Sequence, residues 1–164
     1  MTQRRTALLA LAAAGLVGCG FELRKAPELR FRTLALAGFK PKSPLAEELR
    51  NSINASKTTL VVEPAIKAQV VLEALADTRE KSVVASTAFG EVRELTLRTR
   101  LNFRLRTPQG RELIPATEIL LSRDLSYNET AALAKEQEEL VLYRSMQSDI
   151  VAQVLRRLAS LPAL

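Results

Sequence analysis

The chain has no histidine, no tryptophan and only one cysteine, and 4% of its 164 residues are aromatic. These absences exclude Ser-His-Asp and Cys-His catalysis, zinc sites with ordinary ligands and intrachain disulfides. The shortage of aromatic rings argues against a protein that binds single strands by stacking bases. Hydrophobic residues make up 47% of the sequence and charged residues 26%, a composition typical of one packed domain.

The first 19 residues follow the pattern of an export signal. Arg4 and Arg5 precede an apolar run at 7–17, about half of the ~20 residues that a membrane-spanning helix needs. Leu16-Val17-Gly18-Cys19 resembles the bacterial lipobox, in which the thiol is diacylated and the leader is cleaved before it. An ordinary signal peptide that contains a cysteine is the alternative. We predict a lipoprotein signal peptide at 1–18, an acylated tether at 19–28 and one domain at 29–164.

Cys19 is the predicted lipid attachment site, carrying N-acyl and S-diacylglycerol groups, and we expect no other cofactor. Several acyl chains give stable anchoring, because each buried CH₂ contributes ~0.8 kcal/mol. By resemblance to the lipoprotein sorting rule, Gly20 in place of Asp favours the outer membrane. We therefore expect a lipid-anchored protein on the periplasmic side of the outer membrane.

Hydrophobic patterning predicts an α+β domain, with two helices packed on one face of a roughly four-stranded mixed sheet. The predicted order is β-α-β-β-β-α, with a short β-prone run at 58–62 in addition. Strands are expected at 29–37, at 69–77 with an extension as far as 86, at 94–106 and at 113–125. Helices are expected from Ser43-Pro44 to 54–56 and from 130 to 161. In the second strand, Val70, Leu72, Ala74 and Ala76 are predicted to share one face.

A row of arginines follows one face of the third main strand. Strict alternation at 94–106 places Leu95, Leu97, Thr99, Leu101, Phe103 and Leu105 on the other face. Four of the seven outward positions form what we call the arginine row: Arg98, Arg100, Arg104 and Arg106. Guanidinium groups suit phosphate and carboxylate in two-point contacts. The row is either a surface for a polyanion or a solvated face neutralised by Glu73, Asp77 or Glu118.

A protein exported to the cell envelope can meet only the anions that occur there. Phosphorylated glycolipid, anionic lipid or an acidic protein lumen fits that compartment, and we expect no nucleic acid partner. Catalysis is not expected either, because the candidate carboxylates Glu47, Glu48, Glu136, Glu138 and Glu139 lie on ordinary solvated helix faces. No phosphate-binding loop, nucleophile elbow or metal-ligand spacing occurs.

Several short segments resemble the LPS-assembly lipoprotein family LptE, also called rare lipoprotein B. They are Cys19-Gly20-Phe21-Glu22-Leu23-Arg24, Ser43-Pro44-Leu45, Val92-Arg93-Glu94, Leu121-Ser122-Arg123 with Tyr127-Asn128, and Ala132-Leu133-Ala134-Lys135-Glu136. The resemblance covers essentially the whole chain after the leader, in order. Family members often carry His where Glu22 stands.

The resemblance implies a non-enzymatic partner of the outer-membrane β-barrel LptD, in a 1:1 complex. The family plugs the lumen of LptD, supports its assembly and helps to deliver lipopolysaccharide to the outer leaflet. Lys135 is carried over as a lipopolysaccharide contact through the Ala-Leu-Ala-Lys segment, and Arg93 is the nearest counterpart of a second basic residue. Together with the arginine row, they are the lipopolysaccharide-binding candidates. The alternatives are a free-standing periplasm-facing lipoprotein that binds an anionic glycolipid, and a structural adaptor.

Overall fold

The computed structural model describes residues 28–162, so the predicted leader, Cys19 and the tether up to residue 27 lie outside it. The strands are β1 (Thr33–Ala37), β2 (Leu60–Val61), β3 (Val70–Ser86), β4 (Val92–Arg106) and β5 (Glu112–Ser126). The helices are α1 (Pro44–Ala55) and α2 (Ala132–Ala159), and short 3₁₀ turns occur at Ala65–Lys67 and Glu129–Ala131.

The strands form one mixed sheet in the order β2-β1-β3-β4-β5. β1 is parallel to both of its neighbours, whereas β3, β4 and β5 form an antiparallel meander. The predicted α+β class is confirmed, with five strands rather than about four. The additional strand is β2, only two residues long, within the β-prone run at 58–62. β1 begins four residues later than the sequence suggested, at Thr33.

Both helices pack on the same face of the sheet. Ser43 caps α1 by accepting a hydrogen bond from the Ala46 amide at 3.3 Å, and Pro44 occupies the first turn. α2 has 28 residues and is therefore about 42 Å long, enough to cross the whole sheet. It begins at Ala132 rather than at 130, because the 3₁₀ turn at Glu129–Ala131 takes up the first residues.

A β-bulge at Leu75 exchanges the two faces of β3. Ala74 is paired with Phe103 and Ala76 with Asn102, so one extra residue stands between consecutive pairs. Before the bulge, Val70, Leu72 and Ala74 face the helices, as predicted. The prediction that Ala76 shares their face is wrong, because Ala76 is in register with the outward-facing Asn102.

The face under the helices holds two apolar clusters. The larger cluster takes residues from β1, α1, β3, β4, β5 and α2, and includes Leu34, Leu49, Leu72, Phe103 and Leu158. The smaller cluster consists of Leu95, Leu97, Leu125, Tyr143 and Met146. Between them lies what we call the polar layer: Asp77, Arg79, Thr99 and Gln147. In both β4 and α2, a polar residue therefore separates two apolar groups along the chain.

Candidate functional site

The arginine row lies on the sheet face opposite the helices. The six predicted inward residues of β4, including Thr99, are at most 6% exposed, which confirms the alternation. Arg98 is exposed, whereas Arg100, Arg104 and Arg106 are half-buried among their neighbours. Of the part of the chain that the structure describes, neither α1 nor α2 covers this face, so the side chains of the strands beside β4 are what the guanidinium groups contact.

Glu73 neutralises one end of the row. Its Oε2 accepts hydrogen bonds at 2.9 Å from the Nε atoms of both Arg104 and Arg106. Hydrogen bonding to Arg106, and then to Arg104, holds the pKa of Glu73 below its ordinary value of 4.5. The carboxylate is only 23% exposed, so this bridge removes much of the repulsion between two arginines on one face.

The middle of the row is paired more loosely. The guanidinium of Arg100 lies 3.7 Å from Glu80 and 3.9 Å from Glu118. Glu73 and Glu118 were both expected as partners, and they are confirmed. Asp77 was also expected and is wrong, because the bulge turns it toward the helices, where it accepts a hydrogen bond from Ser43 at 2.8 Å. Within residues 28–162, no acidic side chain lies within 4.0 Å of the Arg98 guanidinium.

Lys135 and Arg93 lie together at a different place. The Lys135 ammonium donates to Ser126 at 3.2 Å and to Glu138 at 2.8 Å, and it is 20% exposed. The Arg93 carbonyl accepts from the Tyr127 amide at 2.8 Å, next to Ser126, and its guanidinium pairs with Glu91. The structure thus brings these two basic residues to one end of the sheet. The arginine row runs from that end down the outer face.

The polar layer was missed from the sequence. Arg79 donates to the side chain of Gln147 and lies over the Tyr143 ring, with its guanidinium carbon 5.4 Å from the centroid. Gln147 in turn donates to the Pro44 carbonyl at 3.2 Å. The charged residues Asp77, Arg79 and Lys81 at every second position were the available signal. They face the helices only because of the bulge.

No helix within residues 28–162 has the length and apolarity to span a membrane.

An ion pair joins the sheet to α2 next to the polar layer. The ammonium of Lys81, two residues after Arg79 in β3, lies 3.0 Å from the carboxylate of Glu139. That hydrogen bond raises the pKa of Lys81. The face between sheet and helices therefore combines apolar clusters with ionic contacts to α2.

The chain is similar in sequence to lipoproteins of two Yersinia species. LPS-assembly lipoprotein LptE of Yersinia enterocolitica (serotype O:8 / biotype 1B) is 28% identical over 153 residues, spanning 92% of this chain and 73% of the relative. The protein of the same name from Yersinia pestis (strain Pestoides F) is 28% identical over 160 residues, spanning 96% and 76%.

Solved structures show the same fold. The solution NMR structure of an uncharacterized lipoprotein B from Nitrosomonas europaea has a TM-score of 0.71 and 33% identity, covering 86% of this chain and 91% of that one. The crystal structure of rare lipoprotein B from Shewanella oneidensis has a TM-score of 0.65 at 23% identity, covering 79% and 95%, and supports the fold alone. The sequence profile described as "LptE: Lipopolysaccharide-assembly" matches residues 31–158. The chain therefore belongs to the LptE family.

Proposed function

We propose that this protein is a lipid-anchored outer-membrane lipoprotein that plugs the lumen of the β-barrel LptD. In that position it supports assembly of the barrel and delivery of lipopolysaccharide to the outer leaflet, without catalysing a reaction. Cys19 carries the lipid, and the protein faces the periplasm. Membership of the LptE family over residues 31–158 is the observation that carries the proposal.

The uncovered sheet face supports the lumen as a setting. A barrel interior is polar, so a plug needs a surface that is soluble and not strongly charged in one sign. Glu73, Glu80 and Glu118 offset the arginine row in this way. The lipid on Cys19 would add to this by keeping the plug close to the barrel, which raises its effective concentration.

The decisive experiment is purification of the tagged full chain from detergent-solubilised membranes. A stoichiometric β-barrel partner is expected to co-purify, identified by mass spectrometry as LptD. A Cys19→Ala variant is the control for anchoring and should reduce recovery of the complex from membranes. If the chain purifies without a barrel but with bound glycolipid, the free-standing lipoprotein is correct. If it purifies with other proteins only, the adaptor is correct.

The same preparation tests the lipopolysaccharide contacts. Lys135→Glu and Arg93→Glu are expected to lower bound lipopolysaccharide per complex, since both remove a cation from the same end of the sheet. Within the arginine row, Arg98→Glu is the cleanest reversal, because Arg104 and Arg106 are already bridged by Glu73. Unchanged lipopolysaccharide content and barrel recovery in Arg98→Glu would make the row a solvated face only.

A further inference from the structure

A cavity of about 450 Å³ opens at the N-terminal end of α1, on the helix side of the sheet. Three cationic side chains line it: Lys40 and Lys42 from the loop before α1, and Arg79 from β3. Among the lining residues that the structure describes, Asp77 is the one carboxylate. The cavity lies within the roughly 300–1,000 Å³ usual for small-molecule sites. Its charge is positive, with three cations against one anion.

The start of α1 adds to this positive potential. α1 has 12 residues; in its first turn Pro44 has no amide hydrogen and the Ala46 amide already donates to Ser43, so the Leu45 amide is the donor that this helix end offers. The helix dipole places about half a positive charge there, which favours an anion. Ser43 lies at the rim and donates its hydroxyl hydrogen to Asp77 at 2.8 Å, so this carboxylate is already partly satisfied.

Thr99 supplies an independent observation at the inner wall of the cavity. It is 2% exposed, and its Oγ1 has no hydrogen-bond partner within residues 28–162. A buried hydroxyl without a partner is unfavourable, because it has lost its hydrogen bonds to water without gaining one from the protein. Its neighbours in the polar layer are all engaged: Arg79 by Gln147 and Tyr143, and Asp77 by Ser43. Among the described lining residues, Thr78 and Thr99 each have a buried hydroxyl without a partner, and Thr99 is the one of the two in register with the helix-facing Arg79.

The geometry points to a binding site for a phosphate group carried on a polar headgroup, between Lys40, Lys42 and the N-terminus of α1, with Thr99 at its inner wall. A phosphate suits the site better than a single carboxylate, because its several oxygens match donors arriving from a loop, a helix end and β4. The site lies on the helix side of the sheet, away from the arginine row. It does not depend on a role in lipopolysaccharide delivery.

The test is a titration of the full chain in maltoside micelles, followed by backbone amide NMR. One arm adds inorganic phosphate and the other adds lysophosphatidic acid, with lysophosphatidylcholine as the lipid control. We expect the amides of Leu45 and Ala46 and the resonances of Thr99 to shift and saturate. Saturation with inorganic phosphate identifies free phosphate as sufficient, and saturation with lysophosphatidic acid alone identifies a headgroup ligand.

Variants that are expected to change the affinity for the ligand in opposite directions make the test specific. Lys42→Gln should weaken binding about two- to fivefold, whereas Asp77→Asn should tighten it by a similar factor. Thr99→Val keeps the shape of the side chain and should also weaken binding.

Lys57→Gln is the matched control, because Lys57 has the same φ of +59° as Lys42 but lies beyond the C-terminal end of α1. Equal losses in Lys42→Gln and Lys57→Gln, no effect of Asp77→Asn, or no saturation in either arm would overturn the site.

Discussion

Gly38 follows β1 at a point where β3 leaves no space for a side chain. Its φ is +76°, and a Cβ built on it would overlap the carbonyl oxygen of Ala74. A residue with a side chain in the left-handed region costs about 1–2 kcal/mol before any overlap is counted. The glycine therefore answers two requirements at once, conformation and space.

Gly38→Ala is expected to lower the free energy of unfolding by about 3–5 kcal/mol, since backbone strain and overlap add. Gly110→Ala is the matched control. Gly110 also has a positive φ, +99°, but a Cβ at this position would meet nothing within 4 Å, so only about 1–2 kcal/mol should be lost. Urea denaturation of the two variants measures the difference. Equal losses would mean that the approach to Ala74 has no energetic weight.

Glu73 should give the stability of the protein a dependence on acid pH. Its pKa is lower in the folded protein than the ordinary 4.5, because Arg106 and Arg104 donate to it. Its stabilisation is therefore fully present above pH 4.5 and is lost as pH falls through the lowered folded value. In Glu73→Gln, the deficit in unfolding free energy relative to wild type should be largest near neutrality and shrink in acid.

Arg106→Gln provides the control for this pH profile. It removes the hydrogen bond that lowers the pKa of Glu73 most, but it leaves the carboxyl and Arg104 in place. The deficit in unfolding free energy of Arg106→Gln relative to wild type is therefore also expected to shrink in acid, but by less than that of Glu73→Gln. A deficit of Glu73→Gln that stays constant between about pH 3 and pH 7 would contradict the assignment.

At the scale of elements, the strands differ in how far the sequence predicts them. β4 alternates without interruption, so its helix-facing residues and the arginine row were predicted correctly, although Thr96, predicted to face outward, is only 7% exposed. β3 changes phase at Leu75, between two alanines whose small side chains carry little information about burial. The polar layer and the cavity beside α1 both lie beyond that phase change, which is why the sequence did not predict them.

The bulge also allows an unusual deletion. Leu75 stands between the pairs Ala74–Phe103 and Ala76–Asn102, and it is 47% exposed. Removing it should leave regular antiparallel pairing with both halves of β3 still in register. We expect the deletion of Leu75 to fold, with an unfolding free energy within about 2 kcal/mol of wild type.

Deletion of Arg100 is the control for the deletion of Leu75. β4 pairs regularly with β5 around Arg100, so loss of one residue turns the inward side chains of one half of β4 outward. That variant should not fold to a native circular dichroism and amide NMR spectrum. If both deletions fold equally well, or neither does, the bulge does not set the register of β3.

Within residues 28–162, the two apolar clusters between the sheet and the helices meet across the polar layer, while a third, small cluster of Ala35, Ala68 and Val71 lies apart from them. Among the described residues, Leu121 of β5 packs against both clusters, while Thr99 and Gln147 separate them in β4 and α2. The smaller cluster has five buried residues and lies toward the β3–β4 turn. It should therefore open without the larger cluster, because few apolar contacts tie the two together.

Native-state hydrogen exchange tests this division of the molecule. The amides of Leu95 and Leu97 are expected to exchange at a lower opening free energy, and with a weaker denaturant dependence, than those of Leu101 and Phe103.

Two variants show which opening each amide reports. Ile150→Val lies in the larger cluster and should lower global stability by about 0.5–1.5 kcal/mol. Because the larger cluster stays intact in the partly open state, this variant should leave the Leu95 and Leu97 values unchanged. Leu97→Ala should lower the opening free energies of both pairs of amides, since the smaller cluster is lost in either opening. A fully cooperative molecule would instead show Ile150→Val lowering all four values equally.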